Sequence, residues 1–181
     1  MGGIVFALFY CVGYFVVAHL SCLFFGAARP RFGAAAVRSM ATMAVLIIGV
    51  FLLADMVPDA ALGNRLQHGI GGGVLGVLLC FLIFFDQRIP VTRFQFFVWS
   101  AFVVTGLGVA NELLEFFVQS YTNMVFAADQ FDTWRDFASN SVGIVVASPV
   151  ATYFLRKIYS LYAHSATELS SGHSSRSAVR V

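Results

Sequence analysis

The chain holds nine acids and four histidines among 181 residues, and a few of them are spaced so that they can act together. Glu112, Glu115 and Gln119 follow i, i+3, i+7, which puts them on one face of a helix. Asp132, Asp136 and Asn140 follow i, i+4, i+8 and share a face if their helix begins early. His68 opens a further apolar run. Carboxylates one helical turn apart in a low-dielectric pocket do not all ionise together, so one can hold a proton while another is charged. A Glu and a His meeting there suit general acid–base work. Glu115 and His68 are therefore the candidate catalytic pair, and Asp132, Asp136, Asn140 and Glu112 the candidates for holding a polar substrate group. If a metal is present, Asp132, Asp136, Glu115 and His68 are its candidate ligands. Oxygen donors favour Mg²⁺, Ca²⁺ or Mn²⁺, and an imidazole moves the preference toward Zn²⁺ or Mn²⁺.

Other acids have plainer readings. Asp55 and Asp59 flank Pro58 and read as turn residues, and Asp129 reads as a loop or N-cap residue. Glu115 is different, because Leu113, Leu114, Phe116 and Phe117 surround it and its carboxyl needs a buried partner. Several sharper motifs fail. Gly71, Gly73 and Gly76 match the spacing of a nucleotide loop, but no strand precedes them. Gly69/Gly73 and Gly72/Gly76 read instead as small-residue stripes that admit a neighbouring helix, with Gly106 and Gly108 as candidate counterparts. There is no His-Glu-x-x-His, and Cys11, Cys22 and Cys80 lie inside apolar runs without metal-type spacing.

The elements that must position these residues follow from composition. Hydrophobic residues make up 59% of the chain and charged ones 11%, with a mean hydropathy of +0.83, where a soluble domain is about a quarter charged. These figures exclude a disordered chain, a nucleic-acid-binding basic domain and an ordinary cytosolic enzyme. Five apolar stretches are long enough to cross a bilayer, at 4–27, 37–56, 69–85, 94–118 and 138–155. The expectation is an all-α polytopic membrane bundle over 1–159, followed by a Ser-rich, flexible cytoplasmic tail over 160–181. The first stretch lacks a basic leader and is expected to be a retained helix.

Charge placement orients the bundle. Arg29, Arg31, Arg38, Arg88, Arg93, Arg156, Lys157, Arg176 and Arg180 fall on one side of such a bundle, and Arg65 and Arg135 on the other. The basic side is cytoplasmic by the positive-inside rule, so the N-terminus lies outside and the C-terminus inside, as five spans require. Asp86 and Glu168 share the basic side, whereas Asp55, Asp59, Glu112, Glu115, Asp129, Asp132 and Asp136 gather at the opposite one. Acids do not set topology. Their gathering marks an outward-facing acidic pocket, because ionisable groups within a membrane face the bundle interior and default to function.

With these residues identified, the pattern resembles the VanZ-like families and, more closely, the YjdF-like bacterial inner-membrane proteins. The resemblance runs from His68 to Gly143. It rests on Asn64-Arg65-Leu66-Gln67-His68, then Glu112-Leu113-Leu114-Glu115, then Asp132-Thr133-Trp134-Arg135-Asp136 leading into Asn140-Ser141-Val142-Gly143. One departure is Asn64-Arg65, where those families carry Asp-Lys. The resemblance implies a bacterial cytoplasmic membrane, a cell-envelope context and, through the VanZ family, resistance to lipophilic glycopeptides such as teicoplanin.

Two readings of function result. In one, the pocket binds or acts on a cell-envelope or lipid-linked substrate, with a divalent cation as candidate cofactor. In the other, the chain is a non-enzymatic subunit of a larger membrane assembly or a helix-mediated homo-oligomer, and the polar cluster is a structural hydrogen-bond network. A proton-coupled transporter lacks the mid-membrane ionisable residues on several spans that it needs. The lipid bilayer is an expected partner in both readings, and nucleic acid in neither.

Overall fold

A computed structural model describes residues 2–122 and 130–177, with side chains over 3–122 and 131–158. Asp129 lies outside the described residues, as do 178–181, and so do the side chains of the Ser-rich tail. The elements are α1 (Gly2–Phe24), α2 (Ala34–Asp55), α3 (Ala60–Leu66), a π-helical segment (Gln67–Val74), α4 (Leu75–Gln87), α5 (Arg93–Tyr121) and α6 (Gln130–Ser177). No strand occurs among the described residues. Helix α3, the π segment and α4 run together as one rod, so five helices are long and apolar enough to cross a membrane: Gly3–Phe24, Ala34–Asp55, Ala60–Gln87, Arg93–Tyr121 and Phe131–Ile158.

Local chemistry sets their ends. Helix α1 stops before Ala27 because Gly26 takes a left-handed φ of 63°. The Ala27 N–H then bonds back to the Cys22 carbonyl at 2.8 Å, the Schellman closure that glycine favours. The third rod begins at Ala60, well before the apolar run at 69, because Asp59 caps it by accepting from the Ala61 and Leu62 N–H groups at 2.9 and 3.1 Å. Thr92 and Gln95 form a reciprocal capping box at the start of α5. Helix α6 begins at Gln130, so Asp132 and Asp136 already belong to it. It passes through Pro149, which has no N–H to offer the Val145 carbonyl one turn earlier, an interruption that membrane helices tolerate. The Pro149 carbonyl itself accepts from the Thr152 hydroxyl at 2.9 Å.

Packing inverts the soluble pattern. Leu23, Val45, Phe94, Phe102 and Val145 face outward, with Leu23 80% exposed. Such a surface costs little against lipid, which is as apolar as leucine. Tyr14, Phe84, Phe96, Ile47 and Leu79 fill the interior, and the buried Trp99 donates its indole N–H to Ser21 Oγ at 2.9 Å. The closest approach of backbones lies between the π segment and α6. A Cβ on Gly143 would sit 2.2 Å from the Gly69 carbonyl oxygen, and one on Gly73 would sit 2.7 Å from the Gly143 Cα. The counterpart of the Gly69/Gly73 stripe is therefore Gly143. Gly106 has nothing within 4 Å of a Cβ position, and Gly108 meets the side chains of Asn140 and Phe137.

Candidate functional site

The bundle end where α1, α3 and α6 begin and α2 and α5 finish contains a cavity of about 290 Å³. Its polar wall comes from three helices. The α3–π rod contributes Asn64, Gln67, His68, Gly71 and Gly72; α5 contributes Gly108, Asn111 and Glu115; α6 contributes Asp136 and Asn140. Phe6, Phe9, Ile47, Phe51 and Leu107 close the apolar side. The α5 residues Val104, Leu107, Gly108, Asn111 and Glu115 fall at i, i+3, i+4, i+7 and i+11, which is one helical face. His68 stands eight residues into its rod, about 12 Å along the axis, so the site lies inside the bundle and not in its loops.

The glycines explain how the helices come so near. Three successive glycines, Gly71 to Gly73, have no side chains to hold α geometry and the largest backbone freedom to lose. The segment is π-helical, a form that recurs at functional sites. Tyr10 of α1, itself buried, donates its hydroxyl to the Gly71 carbonyl and ties α1 to that segment. On its other side the Asn140 amide fills the space over Gly72, where a Cβ would come within 2.0 Å of Oδ1. The Nδ2 of the same amide lies 3.2 Å from a Cβ position on Gly108. Asn140 is thus wedged between the rod and α5, 6% exposed, and its Oδ1 has no hydrogen-bond partner among the described residues.

Two carboxylates are held by amides. Asp136, 4% exposed, accepts from Asn64 Nδ2 at 3.1 Å through Oδ1 and faces His68 Nε2 at 3.3 Å through Oδ2. Glu115 accepts from Asn111 Nδ2 at 2.8 Å. Glu112 is half-buried and within hydrogen-bonding reach of Thr133. Asp132, also half-buried, acts electrostatically on His68, Glu112, Glu115 and Asp136. One ligand atom each from His68, Glu112 and Glu115 lies within 4.8 Å of the others. All six candidate residues named from sequence therefore gather at this end of the bundle. Four of them (His68, Glu115, Asp136 and Asn140) line the cavity, and Glu112 and Asp132 stand beside it.

The remaining acids of this end serve elsewhere. Asp55 ends α2 exposed, and Asp59 is the cap of α3. Arg65 and Arg135 are exposed too, and among the described residues no Lys or Arg lines the cavity. Tyr10, Gln67 and Asn111 are site residues that sequence reasoning passed over. Asn111 had a signal, since it precedes Glu115 by four residues on the same face. A tyrosine hydroxyl inside an apolar span also asks for an acceptor.

Fold and site together define a class: a polytopic helical bundle, of membrane-spanning length and surface, with an acid-rich polar cavity let into one end. No family model, curated protein or solved structure matches the chain.

Proposed function

We propose that the chain is a VanZ-like protein of the bacterial cytoplasmic membrane, with its N-terminus outside and its C-terminus in the cytoplasm. Its outward-facing cavity receives a polar group of a cell-envelope or lipid-linked substrate. The observation that carries this reading is the cavity itself, in which His68, Glu115, Asp136 and Asn140 converge from three helices with no Lys or Arg among the described residues in its lining. A site of this size takes a small head group or a hydrated ion and leaves lipid tails outside. Glu115 and His68 are the groups able to move a proton there. Asn64, which stands where the resembling families carry an acid, donates to Asp136, a position where a further carboxylate would repel it.

Orientation follows from the bases. Arg29, Arg31, Arg38, Arg88, Arg93, Arg156 and Lys157 belong to the end opposite the cavity, which by the positive-inside rule supports a cavity on the outer face. The test is expression in a glycopeptide-sensitive bacterium, reading the inhibitory concentration of a lipophilic glycopeptide. The chain should raise it, and Glu115→Gln, present at the same level in the membrane, should not. Full protection by that variant would sink the reading.

A second reading, a structural network in a subunit of a larger assembly, is favoured by one observation. Both Asp136 and Glu115 are already engaged by asparagine amides, as a purely structural cluster would be. Isolation of the chain as a folded, monodisperse species on its own counts against that role.

A further inference from the structure

The carboxylates of the cavity end are arranged on a histidine in a way that suits a metal. Helix α5 presents Glu112 and Glu115 one turn apart, and the rod presents His68 toward them, so that one ligand atom from each falls within 4.8 Å of the others. Ligand atoms bound at ~2.1 Å to one ion are separated by about 3 to 4.2 Å, so small side-chain rotations close this set around an ion. Asp136 contacts the same histidine. Its Oδ2 faces the Nε2 of His68 at 3.3 Å, and a carboxylate that accepts from one ring nitrogen leaves the other with its lone pair free for a metal. The Asn64 amide on Oδ1 fixes that carboxylate in turn.

A second observation points the same way. Asn140 lines the same cavity, and its Oδ1, buried against Gly72, has no donor among the described residues. A buried acceptor is costly to leave unmet, and water on a bound cation supplies donors at the distance such an acceptor needs. Charge agrees as well, since no Lys or Arg among the described residues enters the cavity.

We infer that His68, Glu112 and Glu115 bind one divalent transition-metal ion, with Asp136 as the positioning residue of the histidine and Asn140 as an outer acceptor for the ion's water. One nitrogen and two carboxylate donors select Zn²⁺ or Mn²⁺ over Mg²⁺ and Ca²⁺. As a cofactor of the cavity, the ion deepens the envelope-substrate reading and rests on it for its functional meaning; its binding is measured without any activity.

The protein is purified in detergent, stripped with a chelator and dialysed against Mn²⁺ or Zn²⁺. Metal content, the Mn²⁺ spin-resonance signal and Tm are then read. One ion per chain is expected, with Tm rising by about 5 °C at saturation. His68→Gln, Glu112→Gln and Glu115→Gln should each weaken binding at least about 10-fold, and Asp136→Asn by about 10-fold. Asp55→Asn, on an exposed acid outside the site, should bind as the native chain does. Glu112→Gln serves where Glu115→Gln fails to fold. No stoichiometric uptake by the native chain overturns the inference, and so does uptake that folded Glu112→Gln leaves unchanged. Binding with no effect of the chain on glycopeptide susceptibility keeps the metal and removes the substrate reading. A Glu115-dependent effect without binding does the reverse.

Discussion

At the scale of the residue, the cavity depends on groups that hold one another in place. Asp136 is the clearest case, with an asparagine amide on one oxygen and an imidazole on the other. Asp136→Asn offers a neutral amide where a carboxylate accepted from both sides. The expected loss is about 1–3 kcal/mol, read as a lower Tm of the purified protein in detergent. An unchanged Tm would show that this network does not hold the helix ends together. Tyr10→Phe removes only the hydroxyl on the Gly71 carbonyl, and the expected cost is about 1 kcal/mol. Asp136 and Asn140 were legible as a pair from their spacing. The amides that meet the carboxylates were not, because Asn64 lies seventy-two residues from Asp136 and no local rule joins them.

At the scale of the element, the π segment and α6 touch backbone to backbone. Gly143→Ala places a methyl 2.2 Å from the Gly69 carbonyl oxygen, where neither backbone can move without opening the seam. The expected result is a loss of more than about 3 kcal/mol, seen as aggregation or a collapse of Tm. Gly106→Ala, on α5 with open space around its Cβ position, is the matched comparison. It should leave Tm unchanged or raise it, since alanine exceeds glycine in helix interiors by about 0.5–1 kcal/mol. Equal damage from both would mean that helix propensity, not the seam, decides. The small-residue stripe of the third rod was readable from its spacing, but its partner was not. Gly106 and Gly143 are equally bare in sequence, and only the crossing of the rod with α6 selects Gly143.

At the scale of the whole molecule, most of the described bases lie at the end of the helices opposite most of the described acids, with Arg65, Arg135 and Asp86 as exceptions. A fluorescent protein that folds only in the cytoplasm, fused after Val181, should fluoresce in a bacterial host. One that stays dark while an exported reporter at the same point is active would reverse the orientation, and would put the cavity on the cytoplasmic face. The outward display of residues such as Leu23, Phe94 and Phe102 requires detergent throughout purification, because no water-facing polar shell covers them.

The sequence by itself determined the class of this protein. Apolar runs long enough to cross a bilayer leave the backbone no way to meet its hydrogen bonds except as helices, and this holds whatever the neighbours are. It also determined which side chains are too polar for that setting, and hence where a site would form if they met. The meeting itself was decided by the tertiary structure. Asp59 and the early start of α6 carried His68, Asp132 and Asp136 into helices, and the glycine seam brought the rod close enough to α6 for Asn140 to wedge over Gly72. Helix α5 turned Glu115 toward His68. Those outcomes depend on crossing geometry and on contacts between residues far apart in the chain, which periodicity along a single helix does not contain.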